Sequence, residues 1–329
     1  MRLGMVGTGM IVKAQLEEMG HRTGFTVEAL AGTPRSAETT RSLATRYGIP
    51  HVYDDFLALV EDPNIDTVYV GVPNSLHAAV TRQALLANKH VIVEKPLAAT
   101  YAEALELSCL ARERRLFLWE AINVVYLPNF LRVRQLLPQL GTIKLACCNY
   151  SQYSSRYDAF VRGETPTVFD PACAGGALMD LGVYNLHYLM GLFGAPHDVC
   201  YHANCERGID TSGVITLTYQ TEAGSMVAEG IAAKDCQAPS YCIIQGSRGY
   251  LEQRTPANLC GEITLHFNDG REEHVDENGF GDPRLRWEAE FAAFARDVAT
   301  DSHERCYQML DHSLAVMRVL DQARASASA

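Results

Sequence analysis

The feature that most constrains this chain is an alternation, beginning at residue 2, of apolar runs too short for helices with longer stretches of helical periodicity. Arg2 to Val6, Phe25 to Ala31, Thr67 to Val72, Val91 to Val93 and Leu116 to Trp119 read as strands. Thr40 to Tyr47, Phe56 to Glu61, His77 to Leu86 and Ala102 to Arg114 read as helices between them. Strands apolar on both faces belong in a parallel sheet covered on both sides, and the intervening helices make right-handed crossovers. The expectation for residues 1–120 is a doubly wound Rossmann sheet.

After Glu120 the pattern changes. Asn129 to Leu137 predicts a helix and Ile143 to Ser154 a long strand. Further strands are expected over Gly213 to Tyr219, Ser225 to Ile231, Tyr241 to Gln245 and Ile263 to Phe267, with a hairpin turn at Asn268-Asp269-Gly270. Helices over about Pro283 to Ala299 and Glu304 to Ala325 end the chain. Residues 121–329 therefore read as an α+β domain on a largely antiparallel open sheet. A chain of 329 residues suits two domains.

Composition excludes more than it identifies. A net charge of −11 argues against nucleic-acid partners, which need a basic surface to displace counterions. No apolar run is long enough to cross a bilayer, so no membrane partner is expected. A strand starting at Arg2 leaves no room for a secretory leader, and the expected location is cytoplasmic. The ten cysteines include no Cys-x-x-Cys pair and read as reduced, mostly buried side chains. His197, Cys200, His202 and Cys205 superficially suggest a metal set. Alternation along a strand would turn Cys200 and Cys205 to opposite sides, so no metal is expected.

Chemistry concentrates at the carboxyl ends of the first strands. Gly7-Thr8-Gly9 follows strand one, and Met10 and Ile11 open a helix whose first amides suit a phosphate. Val12 stands where a third glycine is usual, which bears on helix–strand packing more than on pyrophosphate contact. Strand two ends in Gly32-Thr33-Pro34-Arg35-Ser36, with no acid between Leu30 and Ala37. A carboxylate there would hold a free ribose and an arginine a 2′-phosphate, so Thr33, Arg35 and Ser36 favour NADP(H) over NAD(H). Arg35 could otherwise simply decorate a surface helix. In Glu94-Lys95-Pro96, proline stops the strand and leaves Lys95 at the edge where ligands of open α/β sheets bind.

In the second half, Gly175 to Tyr188 reads as a helix entered from a glycine turn, with Asp180, Tyr184 and His187 on one face. A polar stripe on an otherwise apolar helix needs partners if buried. It serves either as a hydrogen-bonded seam or as half of an active site. Tyr153, Arg156 and Tyr157 follow a strand end and could line a polyol pocket or form a solvated loop.

Taken together, Gly7-Thr8-Gly9, Glu94-Lys95-Pro96 and Asp180 with Tyr184 four positions later resemble the glucose-fructose oxidoreductase/inositol dehydrogenase (Gfo/Idh/MocA) family over essentially the full length. The resemblance implies that Lys95 and Asp180 are the catalytic pair and Tyr184 the proton donor or acceptor. It places Pro73, Asn74, His77 and Glu94 near the cofactor, and Asn123 and His187 with the substrate residues. Members with histidine at the position of Tyr184 act on inositols; tyrosine resembles the glucose-fructose oxidoreductase and dihydrodiol dehydrogenase branches. Many relatives carry an arginine and a histidine just before Pro128, where this chain has Val125 and Leu127. A homodimer or dimer of dimers, covering the open sheet face, is also implied.

Oxidising a secondary alcohol needs a hydride acceptor and a base working near neutral pH. Tyrosine ionises near pH 10, and an ammonium about 4 Å away at an effective dielectric of about 20 is worth about 4 kcal/mol, or about three pKa units. The expected activity is hydride transfer between NADP(H) and a hydroxyl or carbonyl of a small sugar, polyol or diol. The alternatives are a non-catalytic dinucleotide- or sugar-sensing protein on the same scaffold, and a nucleotide-binding transferase or isomerase.

Overall fold

The computed structural model describes residues 1–19, 22–222, 224–279 and 286–327. The chain folds as two compact units, Met1–Ala121 with Glu290–Leu314, and Ile122–Ala289 with Ala315–Ala329.

In the first unit, β1 (Arg2–Val6), β2 (Thr26–Ala31), β3 (His51–Tyr53), β4 (Thr67–Val70), β5 (His90–Glu94) and β6 (Leu118–Ala121) form one sheet. Its order is β3-β2-β1-β4-β5-β6, and each pairing is parallel. Helices α1 (Met10–Met19), α2 (Ala37–Tyr47), α3 (Phe56–Val60), α4 (Asn74–Leu86) and α5 (Tyr101–Glu113) connect the strands. The expected doubly wound parallel sheet is what forms, and its direction of winding reverses between β1 and β4. Every residue of β4, and Val91 to Glu94 of β5, is buried, which is why these runs are apolar on both faces. Edge strand β3 was not anticipated. It is three residues long, and His51 and Val52 are exposed, so it carries no alternation to read.

Helix α5 begins where Thr100 and Glu103 form a reciprocal cap: Glu103 N–H donates to Thr100 Oγ1 at 3.2 Å and Thr100 N–H to Glu103 Oε2 at 3.0 Å. This sharp start fixes the length of the loop after β5, where Lys95 lies.

Helices α9 (Glu288–Ala299) and α10 (His303–Ala327) come last, the second passing from the first unit into the second. A single division at 120/121 was expected; instead Glu290–Leu314 belongs with the first unit. The reason is aromatic packing. Phe291 lies edge-on to Phe25 at 5.3 Å, and Phe294 stacks on Trp119 at 5.1 Å, while Trp119 Nε1 donates to Asp297 at 3.1 Å. An amphipathic stripe says that a helix covers a core without saying which one. The start expected near Pro283 lies outside the described residues.

The second unit holds α6 (Pro128–Leu136), β7 (Ile143–Ser151), α7 (Tyr157–Val161), α8 (Val183–Phe193) and strands β8 (Asp198–Glu206), β9 (Ile209–Thr221), β10 (Gly224–Ala233), β11 (Tyr241–Gly246), β12 (Gly249–Gln253), β13 (Ile263–Phe267) and β14 (Glu272–Val275). The sheet order is β14-β13-β12-β11-β7-β10-β9-β8. Only β7 with β10 pairs in parallel, so the expected largely antiparallel sheet forms. One face alternates inward with Ala146, Cys148, Ile215, Leu217, Ala228, Cys242 and Ile244, and α8 packs over β7 and β10. The other face carries Leu145, 46% exposed, beside partly exposed Val214, Val227, Ile231 and Ile243. The hairpin predicted at Asn268-Asp269-Gly270 joins β13 to β14, with Gly270 at φ +89. Among the described residues no helix is long and apolar enough to cross a membrane.

Candidate active site

In the first unit the candidate residues gather on one edge of the sheet. Gly7 ends β1 at φ +119, and a β-carbon on it would lie 2.2 Å from Gly71 O, just beyond β4. Two backbones therefore approach closely where the strand order reverses, the place where dinucleotides bind in such sheets. A β-carbon on Gly9 would meet nothing within 4 Å, which leaves the turn open at the amino end of α1. Met10, the first residue of α1, is 69% exposed. Val12 is fully buried, and its Cγ2 occupies the space a β-carbon on Gly71 would need, at 2.5 Å. The room usually made by a third glycine on the helix is here made by Gly71, just beyond the neighbouring strand β4.

At the end of β2, Pro34–Ser36 forms a single 3-10 turn. Thr33 N–H donates to Ser36 Oγ at 2.9 Å, and Ser36 Oγ donates to Thr33 O at 3.2 Å. The turn leaves Arg35 exposed on a braced loop with no nearby acid in sequence. Gly7, Thr8 and Gly9 with their open turn, the helix amides at Met10 and Ile11, and Arg35 with Thr33 and Ser36 are residues that suit a nicotinamide dinucleotide.

Lys95 follows the last residue of β5 and is partly exposed, as proline at 96 predicted. Pro73 and Asn74 stand at the amino end of α4, just after β4 on the same edge. Two of the expected cofactor residues have buried side chains. Glu94 is 7% exposed and accepts a hydrogen bond from Tyr69 Oη, and burial raises its pKa against the opposing pull of that bond and of Lys95. His77 is 1% exposed, with Nδ1 2.8 Å from Pro96 O and Nε2 3.0 Å from Val72 O. Burial lowers its pKa. His77 thus braces the loops after β4 and β5 from inside the unit, and Glu94 links the two strands themselves.

In the second unit the expected helix is interrupted. Leu178–Gly182 is a π-helical turn, and α8 continues from it. Single π turns are uncommon and concentrate at functional sites. Gly176, at φ +107, admits the carboxylate of Asp210, whose Oδ2 accepts Leu178 N–H at 2.7 Å and Tyr201 Oη at 2.8 Å. Asp180 and Tyr184 keep partial exposure at this end, whereas His187 is fully buried. The stripe expected to run through all three is thus a pair followed by an interior histidine, because the next turn of α8 lies beneath the sheet.

Sequence reasoning missed two neighbours of the pair. Lys234, just past β10 and 5% exposed, forms an ion pair with Asp180. Tyr150 of β7 has its ring 5.9 Å from that of Tyr184. The logic that singled out Lys95, a lysine directly after an apolar strand, applies equally to Ile231-Ala232-Ala233-Lys234 and would have found it.

The remaining substrate candidates divide. Tyr153 Oη donates to Asp158 at 2.6 Å, and Tyr157 Oη donates to Glu206 at 2.6 Å, which pushes the Tyr157 pKa up to about 12. The Tyr157 ring lies 5.7 Å from Phe169, over which Lys234 Nζ sits at 5.7 Å, so this loop adjoins the Asp180 pair. Arg156 is partly exposed in the same loop. Asn123, by contrast, is 3% exposed and its side-chain amide donates to Asn258 O at 2.7 Å, which ties two segments of the unit together. Cys200, His202 and Cys205 are all exposed on β8, where a register slip at Asn204/Cys205 breaks the alternation assumed from sequence. Among the described residues no three His, Cys, Asp or Glu side chains are grouped to hold a metal.

A parallel sheet with a glycine turn at its winding reversal is the arrangement of a dinucleotide-binding protein. The comparisons with known proteins carry this further. Residues 1–121 match the oxidoreductase family model described as an NAD-binding Rossmann fold, and residues 130–252 match the GFO/IDH/MocA C-terminal domain. The chain belongs to the Gfo/Idh/MocA family of oxidoreductases. It is 30% identical to scyllo-inositol 2-dehydrogenase (NADP(+)) of Bacillus subtilis, over 98% of this chain and 96% of that protein. It is 35% identical to the uncharacterized oxidoreductase YgjR of Escherichia coli over 74% of this chain and 75% of that one. It is also 30% identical to trans-1,2-dihydrobenzene-1,2-diol dehydrogenase of Macaca fascicularis, over 80% and 78%. A 3-ketoreductase from Actinomadura kijaniata, solved with NADP and TDP-benzene, shares the fold at a TM-score of 0.85, with 24% identity over 99% of this chain and 97% of that one.

Proposed function

We propose that this protein transfers hydride between NADP(H) and a hydroxyl or carbonyl group of a small sugar, polyol or diol. The observation that carries the reading is the edge of the parallel sheet, where the open Gly7–Gly9 turn, the acid-free turn bearing Arg35, and Lys95 share the carboxyl ends of β1, β2 and β5. Relatives named for scyllo-inositol and for a dihydrodiol support a substrate with neighbouring hydroxyls. When bound, the cofactor supplies or accepts the hydride. Lys95 polarises the substrate oxygen, Asp180 orients a substrate hydroxyl, and Tyr184 gives or takes the proton. Residues Tyr153, Arg156 and Tyr157 line the substrate side.

Arg35 sets the preference for the phosphorylated cofactor. Its guanidinium, exposed on a turn held by Thr33 and Ser36, pairs with the 2′-phosphate. Fluorescence titration should show Arg35→Ala weakening NADPH about 10- to 100-fold while NADH changes little, in line with 1.5–3 kcal/mol for a charged hydrogen bond. Equal losses for both cofactors would remove Arg35 from this role. Initial rates with a panel of aldoses, polyols and vicinal diols test the reaction itself. Absence of nicotinamide oxidation or reduction with every member would favour the sensing alternative.

The outer face of the second unit's sheet supports self-association. Leu145, Val214, Val227, Ile231 and Ile243 lie on that face, and an open sheet face of this kind is stable when covered. We infer a homodimer through this face. Sedimentation equilibrium should give twice the 36.2 kDa chain mass, and Leu145→Glu should shift it towards monomer. A wild-type protein monomeric at micromolar concentration would refute it.

A further inference from the structure

We propose that Lys234 is a positioning residue for the reaction, holding Asp180 ionised and in one orientation so that the carboxylate serves as a fixed hydrogen-bond acceptor and not as a proton shuttle. This rests on the reading of Asp180 and Tyr184 given above. Lysine is almost never enclosed without an anion, because an isolated ammonium in a low-dielectric interior is strongly disfavoured. The Lys234 side chain is 6% exposed and Asp180 is its ion-pair partner. The pair is asymmetric: the cation is enclosed, whereas Asp180 retains 28% exposure. A buried ion pair is weak support for stability alone, since two apolar side chains commonly do as well. An enclosed cation behind a partly open carboxylate is the arrangement expected where the anion must keep both its charge and its place.

The surroundings fix the lysine in turn. Its N–H donates to Thr211 O at 2.8 Å, and its carbonyl accepts Ser154 N–H at 2.9 Å, so both main-chain groups are held. Its ammonium sits 5.7 Å from the centre of the Phe169 ring. The adjacent carboxylate, Asp235, is engaged elsewhere, with Oδ2 accepting Thr211 Oγ1 at 2.7 Å and Ser212 Oγ at 2.8 Å. Asp180 lies within the π turn, four residues before Tyr184, whose ring neighbours Tyr150. An acid locked as its anion leaves Tyr184 as the group that moves the proton.

The test compares full-length Lys234→Met, Lys234→Arg, Asp180→Asn and the double variant Asp180→Asn/Lys234→Met. NADPH affinity is read by fluorescence, and kcat and KM are read on whichever panel substrate the wild type turns over. Lys234→Met is expected to lower kcat about 100-fold with KM changed by less than about threefold and NADPH affinity unaltered. Lys234→Arg should recover about 10-fold of that loss, because it restores the cation. The double variant should be no slower than Asp180→Asn alone, since residues acting through one another are not additive. Losses that multiply in the double variant, or a Lys234→Met rate near wild type, would overturn the proposal. If Lys234→Met fails to bind NADPH or to fold, the Arg variant decides: a rate about 10-fold below wild type supports the assignment, and a rate equal to wild type or as low as that of Asp180→Asn overturns it. A wild type without nicotinamide-dependent turnover overturns the functional reading, and this inference with it; a wild type that turns over but is indifferent to position 234 overturns only the inference.

Discussion

Replacing Lys95 with methionine is expected to lower kcat about 1,000-fold while NADPH binding changes by no more than a few-fold, since a preorganised charge at a developing oxyanion contributes 10²–10³ in rate. The prediction follows from placement. Pro96 ends β5, so Lys95 stands at the sheet edge shared with the Gly7 turn, partly exposed, with Glu94 behind it turned into the core. Methionine keeps the unbranched stem and loses only the charge, so packing around Val93 and Pro96 is preserved. Stopped-flow hydride transfer and fluorescence titration separate chemistry from binding. A variant with near-normal turnover would count against Lys95 as the polarising group, and one that neither binds nor turns over would point to a cofactor-holding role.

Gly7→Ala should be the more disruptive change. At φ +119 an L-residue is strained by about 1–3 kcal/mol before any contact is considered. Its β-carbon would also lie 2.2 Å from Gly71 O and 3.4 Å from Val12 Cγ2. The backbone oxygen cannot move aside without pulling β4 from β1, to which Gly71 N–H is tied through Val6 O at 2.9 Å. The expected result is a loss of NADPH affinity of at least about 100-fold and a melting temperature lower by several degrees, about 2–4 °C per kcal/mol for a protein of this size. Gly9→Ala is the control for the melting temperature alone, because a β-carbon there meets no protein atom within 4 Å. If Gly7→Ala binds NADPH as the wild type does, the cofactor does not rest on this turn.

These two sites also show how far the sequence could be read. Strands β1, β4 and β5 were legible because a run buried on both faces must be apolar throughout, and a glycine or proline marks its end. The antiparallel sheet of the second unit was legible for a related reason, in that β9, β10 and β13 alternate inward and outward residues over a covered and an open face. Edge strand β3 and the slip at Asn204/Cys205 left no such mark, since exposed residues carry no periodicity. Which catalytic-looking residues were solvent-facing was also invisible. Glu94, His77, His187 and Asn123 have the side chains of a binding site, yet each lies in the interior, the first, second and fourth with polar partners.

By itself the sequence determined the order and class of the elements, the glycine turn and the absence of an acid before Arg35, because each is a property of consecutive residues. Only the tertiary structure decided that Gly71 makes the room a third glycine would make, that Glu290–Leu314 returns to the first unit, and that Asp180 is paired with Lys234, 54 residues away. Burial and ion pairing are relations between segments distant along the chain. Local periodicity records that a side chain needs a partner, and only the fold supplies which one.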